Sequence, residues 1–308
     1  MRATIPVLTL LFTTVLQLNA QTIHFEQKTG YSTFAVRDPV LRIKPGDTVQ
    51  ANSRPLVGPI YVEGATTNDT LVIKILKVRP NLDTGTSGTS PSFGVLAPTT
   101  STPMLSEPAP EIQRTWKIDT EKMTATLDLP KSKSKSITVD LVPMLGRLAV
   151  APAGEEAFSG AWPGPFGGNM DSSDAREGAT VYLPIFHDGA YFYFGDAHAL
   201  QGDGEIAGRG IETMVDATLQ FDVIKNQKIA WPRMENTDYI MVAGSARPLE
   251  DAFRIAYVEM VKWLEHDYGF ERWEAFEVLS QLAVSRVANV VDPNYTVMAK
   301  FPKKYLPK

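Results

Sequence analysis

The twelve residues FGDAHALQGDGE, 194–205, hold two Asp, a Glu, a Gln, a His and three Gly directly after the aromatic run Tyr191-Phe192-Tyr193. Asp196 and His198 stand two apart, so on an extended chain their side chains share a face. Gly195, Gly202 and Gly204 permit tight bends that return Glu205 toward that pair. A carboxylate, an imidazole and a second carboxylate form a ligand set for zinc or a similar divalent ion, with a position left open for water. Polar side chains crowded at the end of an apolar strand are costly to bury unless they pair or bind something. The same residues also allow a plainer arrangement, a hydrogen-bonded strand corner in which His198 only ties down a carboxylate.

GGNMDSSD, 167–174, repeats the pattern more weakly, with two Gly and with Asn169 and Asp171 spaced two apart. Asp171 reads as a bridging ligand, as a base or as a turn residue. Glu63, in GPIYVEGA, ends a short apolar strand between small residues and is either a site carboxylate or an exposed strand-end charge. Of the other His, His187 falls in a turn, His266 ends a helix and His24 lies near the expected mature terminus. Rival motifs fall away on inspection. The Gly-rich GDGEIAGRG lacks G-x-G-x-x-G spacing, and Ser132–Lys135 matches S-x-x-K only inside a low-complexity patch. Ser172-Ser173 has neither an elbow glycine pattern nor a nearby Lys, which argues against a serine amidase.

These groups need strands to carry them, and the text around them is strand-like. Leu41–Gln50 alternates around a Pro-Gly-Asp turn, and Gly58–Gly64 and Asp69–Leu76 predict two further strands. Residues 80–113 turn to Pro, Ser, Thr and Gly and predict a long surface loop. KIDTEKMTATLDL and SITVDL predict hairpins, and Val181–Phe186 with Ala190–Phe194 predict another around the His187-Asp-Gly189 turn. Continuous aromatics in that last strand imply burial on both faces. Pro248 opens a helix whose apolar residues recur at helical spacing and which Gly269 stops; a second follows from Trp273, and Val297–Phe301 predicts a closing strand. Strands outnumber helices, and the helices come late, so the class is α+β, mainly β.

The chain has 308 residues, enough to bury a substantial core. Its net charge of -5, without a basic stripe, argues against a nucleic-acid partner. Cysteine is absent, which excludes thiol nucleophiles, Cys-ligated zinc and iron–sulfur clusters and leaves any metal site to carboxylates and four His. At the N-terminus one Arg precedes an apolar run from Ile5 to Leu16, and Asn19-Ala20 follows. That predicts a secretory signal peptide over residues 1–20, a secreted or periplasmic location, no membrane association after its removal, and one domain over 21–308.

GPIYVEGATTNDTLVIKIL, PMLGRLAVAP, GGNMDSSDAREGATVYLPIFHDGAYFYFGDAHALQGDGE and IETMVDATLQF, taken in that order, resemble the acetamidase/formamidase family. The resemblance runs over about residues 24–305. It implies a barrel- or sandwich-like β core with the two C-terminal helices packed on it, and hydrolysis of short aliphatic amides to a carboxylate and ammonia. The polar set it implies is Glu63, Asn169, Asp171, Asp196, His198, Gln201, Asp203 and Glu205. On that basis a divalent ion, zinc before calcium, is expected on Asp171, Asp196 and His198. Glu205 or Glu63 would move the proton, and Asn169 or Gln201 would donate to the oxyanion. The expected partner is a small amide substrate, and the chain is compatible with a homo-oligomer. A different class also fits: an exported β-rich binding protein with a structural calcium site and no turnover.

Overall fold

The computed structural model describes residues 20–96 and 108–307. The expected signal peptide, apart from Ala20, and the middle of the expected 80–113 loop lie outside the described residues.

Two large sheets carry the fold. One has nine strands in the order Thr22–Phe25, Thr48–Asn52, Val215–Ile224, Thr70–Pro80, Thr180–Pro184, Arg233–Glu235, Tyr239–Ala246, Tyr295–Pro302 and Val284–Asn289. The other has five: Gly167–Asn169, Met144–Ala149, Phe192–His198, Val57–Val62 and Leu41–Ile43. Their inner faces share one apolar core. Ile60, Leu145, Phe192 and Phe194 from the smaller sheet meet Ile73, Val181, Leu219 and Phe221 from the larger. The Phe192 ring sits edge-on to Phe221 at 5.2 Å across the gap. Each fully buried side chain of this size contributes roughly 1.5–3 kcal/mol relative to exposure. The architecture is therefore an open sandwich, mainly β, as the sequence implies.

The helices also fall where the sequence places them. The first, Leu249–Tyr268, takes Pro248 as its N-cap, carries Glu250 and Asp251 in its first turn and ends on Gly269 in the left-handed conformation. Ala252, Ala256, Met260, Trp263 and Leu264 form its buried stripe, which packs with Val242, Val297 and Phe301 of the larger sheet. The second, Arg272–Leu282, is capped by the Glu271 carboxylate, which accepts from the backbone N–H groups of Trp273 and Glu274.

Two expectations give way. Thr84–Thr89, inside the expected loop, is a strand that pairs with Ile112–Asp119 in a separate four-stranded sheet. Its Thr, Ser and Gly residues give no apolar alternation to read, and the strand is set by its backbone ladder with Ile112–Asp119. The predicted hairpin at 181–194 does not form either: Thr180–Pro184 belongs to the nine-stranded sheet and Phe192–His198 to the five-stranded one. Ala190 and Tyr191 both hold positive φ, at 61° and 53°, and turn the chain from one sheet to the other. Phe192, Tyr193 and Phe194 are fully buried, as their continuous apolar text requires.

Candidate active site

Three neighbouring strands of the smaller sheet bring the polar groups together. Arg147, on Met144–Ala149, lies across from Asn169 on one side and Gly195 on the other, and Met144 lies across from His198. Asp171 follows the Gly167–Asn169 strand, and its N–H donates to the carbonyl of Gly146 at 3.2 Å. Glu205 closes the short turn Asp203–Glu205. Glu212 is held by a backbone bridge to His198, and Asp292 comes from the loop before the last strand. Ligand atoms of Asp171, Asp196 and His198 all lie within 4.8 Å of one another, and so do those of His198, Glu205 and Glu212. Asp171 and His198 are essentially inaccessible to solvent, and Asn169, Gln201 and Glu205 are buried.

The backbone is bent to achieve this. Asp171, Asp196 and Glu205 hold positive φ at 44°, 54° and 47°, a region in which L residues other than Gly lose roughly 1–2 kcal/mol each. The regular alternation that would set Asp196 and His198 on one face is thus broken at Asp196, yet the two side chains still converge. Gly146 makes room for them: a Cβ there would stand 2.3 Å from Oδ1 of Asp171.

Hydrogen bonds fix most of the groups. Nδ1 of His198 lies 2.7 Å from Oε1 of Gln201, whose amide nitrogen donates to the carbonyls of Asp171 at 2.6 Å and Ala288 at 3.1 Å. The amide of Gln201 is therefore oriented oxygen-first toward the ring, and Nδ1 is the donor. Nε2 faces Oε1 of Glu212 at 3.1 Å. The amide nitrogen of Asn169 donates to Oδ2 of Asp171 at 2.5 Å and to Oδ2 of Asp292 at 2.7 Å. Nε of Arg147 donates to Oδ1 of Asn169 at 2.9 Å, and its Nη2 lies 3.2 Å from Asp196.

Both amide hydrogens of Asn169 and of Gln201 are engaged in these bonds, so in this arrangement both residues position other groups. Glu63 is not brought to the cluster. It is exposed and follows Val57–Val62, and antiparallel pairing of that strand with Phe192–His198 sets it beside the start of the latter, away from the His198 end. Asp203 is exposed and paired with Arg286 at 3.0 Å. Arg147, Glu212 and Asp292 were not legible as site residues: Arg147 and Asp292 lie far in sequence from the Gly-rich stretch, and Glu212, seven residues beyond Glu205, reaches the site only through its bridge to His198.

Five carboxylates, from Asp171, Asp196, Glu205, Glu212 and Asp292, share this volume with one imidazole and one guanidinium. Burial first, then the charges of Asp292 and Asp196, push the Asp171 carboxyl well above the usual range. Burial and then Asp171 push Glu205 up to about 9. Burial raises Asp292 to about 7, although its hydrogen bond from Asn169 works the other way. Burial disfavours the charged ring of His198, but Glu212, Asp196 and Asp171 outweigh it and hold the imidazolium well above its ordinary pKa. Glu212 is raised by burial and lowered by His198 by more, so it stays ionised. Negative charge exceeds positive here, and protons make up the difference.

Oδ1 of Asp171 is buried and has no hydrogen-bond partner among the described residues. An orphaned carboxylate oxygen beside a second carboxylate and an imidazole suits a divalent cation, which would take the place of the excess protons. The residues fit such a group.

A cavity of about 410 Å³ opens onto this cluster, lined among others by Arg147, Asn169, Asp196, His198, Glu205, Glu212 and Asp292. The sequence model of the acetamidase/formamidase family matches residues 104–306. The chain belongs to that family. Among solved relatives, the acetamidase of Yersinia enterocolitica is 37% identical and superposes with a TM-score of 0.86 over 93% of each chain. The acetamidase of Bacillus halodurans is 27% identical, with a TM-score of 0.80 over 92% of this chain and 98% of the other. The formamidase of Methylophilus methylotrophus is 27% identical over 177 residues, a stretch that spans 49% of this chain and 43% of that protein. The family match includes Asn169, Asp171, Asp196, His198, Gln201, Glu205, Glu212 and Asp292, while Glu63 lies outside it.

Proposed function

We propose that this protein hydrolyses a short linear amide to a carboxylate and ammonia, with a divalent cation seated between Asp171, Asp196 and His198. The observation that carries the reading is the buried, unpartnered Oδ1 of Asp171 facing the Asp196–His198 pair within a family whose named relatives are acetamidases and a formamidase. An imidazole nitrogen among the ligands favours zinc over calcium, which prefers six to eight oxygens.

When bound, the cation supplies Lewis acidity toward the amide carbonyl and lowers the pKa of water. The rest belongs to the chain. Glu212, ionised beside His198, is the group able to accept a proton from the attacking water. Glu205, whose burial favours the protonated form, delivers one to the departing ammonia. Two carboxylates with pKa values pushed in opposite directions divide the acid and base roles. Arg147 lines the cavity with its guanidinium steadied by Asn169 and Asp196, and it stands in for the committed amides as the group facing the oxyanion, a contribution of about 3 kcal/mol. Gln201 engages Nδ1 of the imidazole, so Nε2, which here faces Glu212, is the nitrogen that would be left to hold the cation.

Residues 1–20 support the further reading that the protein acts outside the cytoplasm, which N-terminal sequencing of the mature chain checks. The decisive assay is ammonia release from formamide, acetamide and propionamide by the purified protein, before chelation, after it and after Zn²⁺ is restored. Turnover that survives complete metal removal ends the cation's part; His198→Ala at full rate ends the site assignment.

A further inference from the structure

The cavity holds more than its chemistry needs. Formamide is hardly larger than two waters, at roughly 30 Å³ each, whereas about 410 Å³ is the scale of pockets that enclose much longer ligands. Its lining carries both signs of charge. Asp196, His198, Glu205, Glu212 and Asp292 form one part, and the other cations on the wall are Arg54, Arg147 and Arg209. Arg147 is held by Asn169 and Asp196. Arg54 and Arg209 are different: both are exposed to solvent, and neither side chain makes a hydrogen bond or ion pair with another described residue, although the charge of Arg54 reaches Glu212 and helps to keep that carboxyl ionised. They come from separate loops. Arg54 sits between the strands Thr48–Asn52 and Val57–Val62, in the two sheets, and Arg209 follows the Asp203–Glu205 turn. Phe93 lies on the same wall and rests against Gly208, the residue before Arg209.

Two exposed guanidinium groups without hydrogen-bonded partners, on a cavity whose buried carboxyls include Glu205 and Asp292, favour an elongated ligand that is anionic at one end and neutral at the other. Resting on the amidase reading, we propose that the substrate is the monoamide of a dicarboxylic acid, with its amide at the Asp171–His198 cluster and its carboxylate held by Arg54 and Arg209. Guanidinium matches carboxylate geometry in paired hydrogen bonds, and a carboxylate at the far end is kept from the acidic cluster by the length of the chain. A simple aliphatic amide would leave both arginines and most of the volume unused.

The test compares kcat/KM for succinamate and glutaramate with that for acetamide, in the wild-type protein and in Arg54→Gln and Arg209→Gln. The expected result is a wild-type preference for an acidic amide, with the preference falling about tenfold in each variant through KM. Equal handling of acidic and neutral amides, or a preference the variants leave untouched, overturns the inference and leaves the amidase reading standing. If no amide releases ammonia, the amidase reading fails, and calorimetry with succinamate, which is then not turned over, decides the subsite separately. Binding that is lost in the double variant upholds it; no binding, or binding indifferent to both arginines, overturns it.

Discussion

Oε1 of Gln201 lies 2.7 Å from Nδ1 of His198, and it can only accept there, because the amide nitrogen of Gln201 is anchored on two backbone carbonyls. One buried amide thereby decides which face of the ring carries chemistry. Gln201→Ala should lower Zn²⁺ affinity about 10–100-fold, the effect usual for a group that orients a metal-ligating His. It should also reduce stability by about 1–3 kcal/mol, since the carbonyls of Asp171 and Ala288 lose their buried donor. Calorimetric titration and chemical denaturation measure the two effects. Undiminished affinity would mean that the ring is held by packing alone.

Cation-free protein should lose stability as pH rises. Glu205 moves from 4.5 to about 9 and Asp292 from 3.8 to about 7 on folding, so across those intervals the native state binds protons that the unfolded chain has released. Their contribution is present in full below the unfolded values and disappears as pH climbs through about 7 and then about 9. His198, also raised, acts in the same direction. Glu212, lowered, acts in the opposite one and sets the acid limit. Melting temperatures in chelator should therefore fall from about pH 4 to about pH 9, the span of the two carboxyl shifts, and Zn²⁺ should restore them most at the alkaline end. A flat profile in chelator would refute the crowding of carboxylates in the folded state.

Asp171→Asn separates stability from function. The amide keeps the shape, and Asn tolerates the positive φ of 44° found at this position. Without the cation the variant should be as stable as the wild type or up to about 3 kcal/mol more stable at pH 8, because a buried acid has become neutral. Its melting temperature should no longer rise with Zn²⁺, and kcat/KM should drop at least about 100-fold. Retention of both the thermal response and the activity would remove Asp171 from the site.

Glu63→Gln should leave kcat/KM unchanged within assay error and stability within about 0.5 kcal/mol, as expected of an exposed strand-end charge. A large loss of activity would put the carboxylate back in the mechanism.

Mainly β class, the two helices and the stretch that carries Asp196, His198, Gln201 and Glu205 were legible in the sequence, because each rests on local pattern. Pro248 and Gly269 bracket a helix by backbone conformation alone, and polar groups crowded beyond Phe192–Phe194 mark a strand running from the core into a cavity. Asp171 was legible too, through the two glycines before it.

Long-range pairing decided the rest. Arg147 joins the site through its register with Asn169 and Gly195, Glu212 through a bridge to His198, and Asp292 through a loop 121 residues beyond Asp171 (292 less 171). Nothing in the local text around Glu63 says which end of Phe192–His198 it will lie beside; strand direction settles that. The sequence supplies side chains and local bends, and it determined which groups could do chemistry. Which of them share a volume, and so which keep a proton and which have a free donor, follows from hydrogen bonds and charges between segments far apart in the chain, and only the tertiary structure decided it.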